Sequence, residues 1–111
     1  MNKRYRLTSK KAFSYTYKRG ASISNNYVTI VFAPTIYGMK IGFSISKKVG
    51  KAVTRNKTKR RLKEIFRHNI DILNKNYNYV IIAKNGIDNI SYSELENSII
   101  NLISKNANRF N

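Results

Sequence analysis

The chain has 111 residues, no cysteine, and 22 Lys and Arg against 5 Asp and Glu, a formal net charge of +17. That length predicts one domain, residues 1–111, with an ordinary buried core, and the lack of thiols excludes a disulfide framework, a thiolate nucleophile and a cysteine-based zinc site. All five acids lie at Glu64 or later, so residues 1–63 form a purely basic field that concentrates polyanions, with nucleic acid expected ahead of an anionic membrane.

The opening residues Met1-Asn2-Lys3-Arg4-Tyr5-Arg6 are basic, as in a signal peptide, yet residues 7–19 are polar and supply no apolar stretch. No segment reads as a membrane span, and a cytoplasmic protein is expected. Thr8 or Ser9 is placed to cap a helix running to about Arg19, and Gly20 to end it in the left-handed conformation. Phe13 and Tyr17, four apart, share one face, a spacing that ordinarily packs into a core. A short extra strand is expected at residues 21–24. Residues 27–33 are rich in β-branched and aromatic residues, with Pro34 closing the strand. In residues 40–48, Ile41, Phe43 and Ile45 alternate with Gly42, Ser44 and Ser46, predicting a second strand paired with the first in a hairpin around Ile36-Tyr37-Gly38. The small residues would let a ligand backbone approach closely, although a solvent-facing row needs no ligand.

Residues 47–67 set ten Lys or Arg against Glu64 alone. The segment keeps an apolar stripe of helical period, which disordered basic tails lack, so the charge is displayed on a folded element. After a break at Val49-Gly50-Lys51, Thr54 is the candidate cap of a helix to about Leu73. At about 100° per residue, Leu62, Ile65, Phe66, Asn69, Ile70 and Leu73 share one side, while Asn56, Arg60, Lys63 and Arg67 line another. Residues 78–83, with Tyr79-Val80-Ile81-Ile82, read as a strand covered on both faces. Strand, helix and buried strand in succession suggest a parallel crossover pair. Residues 88–92 form a turn, and Ser91 with Glu94, or Ser93 with Glu96, makes a capping box for a last helix carrying Leu95, Ile99, Leu102 and Ile103. The tail from Lys105 is expected to fray.

A protein nuclease needs paired imidazoles or carboxylates that hold divalent metal. His68 is the one histidine and sits in the basic helix, where a surface role is the ordinary one. The acids show no metal-ligand spacing, and no phosphate-binding glycine loop or nucleophile elbow is present. No catalytic or metal-binding residue is assigned, and the protein is expected to act by binding. A ribosomal protein or RNA chaperone is the alternative this reading leaves open, while DNA packaging is weakened by the lack of a long basic arm or a dimeric coiled pattern.

The run Gly42-Phe43-Ser44-Ile45-Ser46-Lys47-Lys48-Val49-Gly50, followed by Lys51-Ala52-Val53-Thr54-Arg55-Asn56-Lys57-Thr58-Lys59-Arg60-Arg61, strongly resembles the bacterial ribonuclease P protein subunit. In that family a glycine-led strand ends in Ser-Lys-Lys and a helix opens with Arg-Asn-Arg followed by Lys-Arg. The early Arg6-Leu7, the Phe13–Tyr17 spacing and the strand at 79–83 fit as well, so the resemblance covers essentially the whole chain. One residue departs: Lys57 stands where the family has arginine, keeping the charge but losing the planar fork that fixes phosphate geometry.

The resemblance implies an α+β fold, a sandwich in the order α-β-β-(β)-α-β-α with helices on a mostly antiparallel sheet and a left-handed β-α-β crossover, against the usual handedness rule. It implies an accessory subunit of an endoribonuclease whose catalyst is a large RNA, with magnesium held mainly by that RNA and none required by the protein. The partners would be the catalytic RNA and precursor tRNA, with no membrane and no DNA. Arg55, Asn56, Lys57, Lys59, Arg60, Lys63 and Arg67 would bind the catalytic RNA. A cleft between the first helix and the sheet would hold the 5′ leader of precursor tRNA, bordered by Phe13 and Tyr17, with Tyr27, Ile30, Lys47 and Lys48 as further candidates; aromatic faces there would stack on leader bases.

Overall fold

The computed structural model describes residues 3–110. Three helices, α1 (Lys10–Arg19), α2 (Ala52–His68) and α3 (Tyr92–Lys105), accompany four strands, β1 (Ala21–Ser24), β2 (Val28–Pro34), β3 (Ile41–Ser44) and β4 (Tyr77–Ala83). The sheet order is β1-β2-β4-β3, with β1–β2 and β2–β4 antiparallel and β3–β4 parallel. The parallel pair joined through α2 is the expected crossover.

The expected hairpin of the second and third strands is not formed: β4 lies between them. Its run Asn78, Tyr79, Val80 and Ile81 is buried on both faces, and a strand covered on both faces needs a hydrogen-bonded neighbour on each side. β3 is also shorter than expected, giving way to a 3-10 turn at Lys47–Val49.

Alternation sorts the sheet's residues onto two faces. Val28, Ile30, Phe32, Ile41, Tyr79, Ile81 and Ala83 meet Leu62, Ile65 and Phe66 of α2 and Leu95, Ile99, Leu102 and Ile103 of α3 in the main core. The opposite face carries α1. There Gly42, Val80 and Val31 form one row across three strands, and α1 crosses it. A β-carbon on Gly42 would stand 3.0 Å from Phe13 Cε2 and 3.2 Å from Leu7 Cδ2.

Gly20 does end α1, but with φ −75° rather than in the left-handed region. Glycine is required there by space: a β-carbon would come within 2.5 Å of the Thr16 carbonyl oxygen and 2.7 Å of that of Phe32. Ser9, not Thr8, caps α1, accepting from the Ala12 N–H at 3.2 Å. α2 starts two residues before the expected Thr54 cap, with Lys51 at the cap position. It also stops at His68 rather than near Leu73, where the Asn69 side-chain amide donates to the Ile65 carbonyl and to Glu96 of α3. Ser91 caps α3, accepting from the Glu94 N–H.

The C-terminal segment is anchored where fraying was expected. Arg109 donates to the Ser22 carbonyl at 3.1 Å and lies 5.5 Å from the centre of the Phe32 ring. A guanidinium can hydrogen-bond and stack on a ring at once, which ties the segment after α3 back to β1 and β2.

Candidate nucleic-acid interface

α2 is amphipathic in the manner its sequence predicts. Thr58, Leu62, Ile65 and Phe66 are buried, whereas Asn56, Lys57, Lys59, Arg60 and Arg67 are exposed and Lys63 is half-buried. Helical spacing puts Asn56, Arg60, Lys63 and Arg67 in one stripe, with Lys59 between that stripe and the core. Lys57 and Arg61 fall on the other flank, and Arg61 donates to the Ile90 carbonyl at 2.8 Å.

Arg55 does not belong to the exposed stripe. It is half-buried, on the core side of the helix, and its Nε is cut off from solvent without a hydrogen-bond partner. An unpaired buried donor of this kind costs about 1–3 kcal/mol, a deficit that an anionic oxygen reaching it would remove.

The stripe is not uniformly free. Arg67 Nε donates to Glu64 Oε2 at 3.2 Å, Arg67 Nη2 donates to Oε1, and His68 lies 3.2 Å from the same carboxylate. The hydrogen bond from Arg67 holds the Glu64 carboxyl below its ordinary range. Lys63 shows the opposite situation. Its pKa is lowered by burial, then by the neighbouring charges of Lys59 and Arg6. These three cations border a small cavity with Leu7, Phe13, Gly42 and Phe43, and no carboxylate lines it. Unbalanced positive charge against a half-buried wall attracts anions.

The flank of α1 that carries Phe13 and Tyr17 forms the second surface. Tyr17 is 55 % exposed; Phe13 is half-buried on Gly42. Beyond the Gly42–Val80–Val31 row, the next row of the sheet is Ser44, Ile82 and Thr29, all half-exposed. Those three residues continue the face of the sheet that carries α1; the sequence reading has Ser44 in its row of small residues but misses Ile82 and Thr29. The signal was available in strand parity: Thr29, not Ile30, shares a face with Val31. Ile30 is therefore a correction. It is 0 % exposed in the main core, on the side of the sheet away from α1. Tyr27 is half-buried and packs partly against that core, its N–H bonded to Asn25 Oδ1 at 2.8 Å. Lys47 and Lys48 are exposed in the turn that follows β3, beyond Ser44. Among the described residues no three His, Cys, Asp or Glu come together as metal ligands, and no helix is long and apolar enough to cross a membrane.

The ribonuclease P family model matches residues 1–107. The chain belongs to the ribonuclease P protein family. The ribonuclease P protein component of Finegoldia magna is 36 % identical over 109 residues, spanning 98 % of this chain and 96 % of the relative. That of Clostridium kluyveri is 42 % identical over 104 residues, spanning 91 % and 93 %. Among solved structures, the Staphylococcus aureus RNase P protein superposes with a TM-score of 0.82 at 28 % identity, covering 96 % of this chain and 98 % of that one. The Thermotoga maritima RNase P protein gives 0.81 at 28 %, covering 90 % and 96 %. The family's strand-to-helix signature is thus carried here by β3, the turn after it and the start of α2.

Proposed function

We propose that this ribonuclease P protein is the accessory subunit of a ribonucleoprotein endonuclease that removes the 5′ leader of precursor tRNA in the cytoplasm. The stripe Asn56, Arg60, Lys63 and Arg67, with Lys59 and Lys57 on its flanks and Arg55 beneath, docks on the phosphates of the catalytic RNA. The flank of α1 with Phe13 and Tyr17 takes the single-stranded leader over the floor of Ser44, Ile82 and Thr29, and Lys47, Lys48 and the edge of Tyr27 border it. In this reading magnesium is held by the RNA partner. Hydrolysis is then the work of the RNA, and the protein contributes affinity and position.

The observation that carries the reading is that the cationic side of α2 and the open flank of α1 meet at one cavity, lined by Lys59 and Lys63 from the first and by Phe13 from the second. The surface for the catalytic RNA and the surface for the leader are therefore contiguous. Reconstitution tests it. The protein alone should bind RNA and leave precursor tRNA uncut, while addition of a bacterial ribonuclease P RNA should produce cleavage at low magnesium with a mature 5′-phosphate. Efficient cleavage by nuclease-treated protein alone would overturn the proposal.

A further inference from the structure

On the flank of α1 away from Phe13 and Tyr17 lies an open groove of about 620 Å³. Leu7, Ala12 and Tyr15 form one wall, and residues 34–38 with Lys40, leading out of β2 toward β3, form the other. Two observations distinguish it from ordinary surface. Ile36 and Tyr37 are 89 % and 87 % exposed, and Tyr15 is 54 % exposed. The loop is held in this display by polar bonds, from the Tyr37 N–H to Thr35 Oγ1 at 3.1 Å and from the Thr35 N–H to the Asn76 carbonyl at 2.8 Å. Its aromatic tip is thus presented to solvent without packing in the core. Secondly, every charged residue lining the groove is a cation, namely Arg6, Lys11 and Lys40.

An apolar groove could in principle take a second copy of the chain, but a surface rimmed only by cations on a chain of net charge +17 repels its own kind. Tyrosine rings beside Arg and Lys match nucleotides, whose bases stack on rings while their phosphates meet the cations. Arg6 and Leu7 line both this groove and the cavity that holds Phe13, Lys59 and Lys63. A strand leaving the first cleft therefore reaches the groove around the N-terminal end of α1.

We propose that the Tyr15–Tyr37 groove binds single-stranded RNA, as the continuation of the leader beyond the Phe13–Tyr17 cleft. The inference rests on the leader reading of that cleft and extends it to a second, separately removable site.

The test uses the reconstituted holoenzyme, precursor tRNAs with leaders of increasing length, and the double variant Tyr15→Ser/Tyr37→Ser. Both rings are mostly in solvent, so melting temperature should hold. Affinity for short leaders should match that of the unmodified protein, and the gain from the added nucleotides should fall by about tenfold. Lys11→Ala should reduce the same gain and its salt dependence. If assembly and short-leader discrimination are intact but the length-dependent gain survives in the double variant, the groove proposal alone is overturned. If instead the double variant abolishes a self-association seen by sedimentation of the protein alone, the groove is a contact between copies and the proposal falls. Failure of the unmodified protein to assemble with the catalytic RNA would reject the underlying functional reading.

Discussion

Replacing Phe13 and Tyr17 separately by leucine should give two different results, because the structure treats the two rings differently. Tyr17 is more than half exposed, so its loss removes a stacking surface and little packing. One lost base stack is worth about 1–3 kcal/mol, or roughly 5- to 150-fold in leader-dependent affinity. Phe13 lies on Gly42, its Cδ2 and Cε2 standing 3.1 and 3.0 Å from where a β-carbon would be. A flat ring fits that glycine and a branched leucine does not, so Phe13→Leu should cost about 1 kcal/mol of stability. For a domain of this size that is a melting temperature lower by roughly 5 °C. The assay pairs thermal unfolding of each variant with holoenzyme affinity for precursor tRNA carrying a long leader and for tRNA lacking one. Tyr17→Leu should reduce the difference between the two substrates while leaving melting unchanged; Phe13→Leu should lower both. Full leader discrimination in Tyr17→Leu would refute the placement of the leader on this flank.

Glu64→Gln should strengthen binding to the catalytic RNA and steepen its salt dependence by about one unit or slightly less, because it releases Arg67 for one more phosphate contact, whereas Arg60→Ala should make the slope shallower by a similar amount. Salt slopes for both variants that match that of the unmodified protein would refute both contacts. Tyr79 is buried, with its hydroxyl donating to the Asn74 carbonyl and accepting from the Asn74 N–H, and burial pushes its pKa up to about 12. The unfolded phenol ionises near pH 10, so this group's contribution to stability is complete below about pH 10 and is lost as pH rises toward 12. Thermal unfolding across that window should show a steeper alkaline loss for the unmodified protein than for Tyr79→Phe; parallel curves would remove Tyr79 as the cause.

The helices were legible because each carries its own evidence. Ser9 and Ser91 mark two starts, and the apolar spacing of Leu62, Ile65 and Phe66 defines the buried side of α2 within residues that are otherwise cationic. The exposed stripe followed directly from the same spacing. Pairing was less legible, since sequence adjacency favours joining β2 to β3, whereas the strand that separates them arises more than thirty residues after β3. Arg55 illustrates a related limit. A charged residue in a basic run reads as surface, although its helical spacing from Thr58 and Leu62 already puts Arg55 on the core side of α2. The groove at Tyr15 and Tyr37 joins a helix flank to a loop and has no periodicity to betray it.

The central position of β4 bears on how the molecule is made. β2 and β3 both hydrogen-bond to β4, the last strand to be synthesised. At roughly 5–20 residues per second, the residues between the end of α2 and the end of β4 take about 1–3 seconds to add. Until β4 pairs, the sheet that orients the cationic helix is still open. Arrival of β4 closes both edges in one event and converts loosely tethered segments into a cooperative unit. A chain released before residue 77 keeps apolar strands with unpaired edges, a form exposed to proteolysis and aggregation.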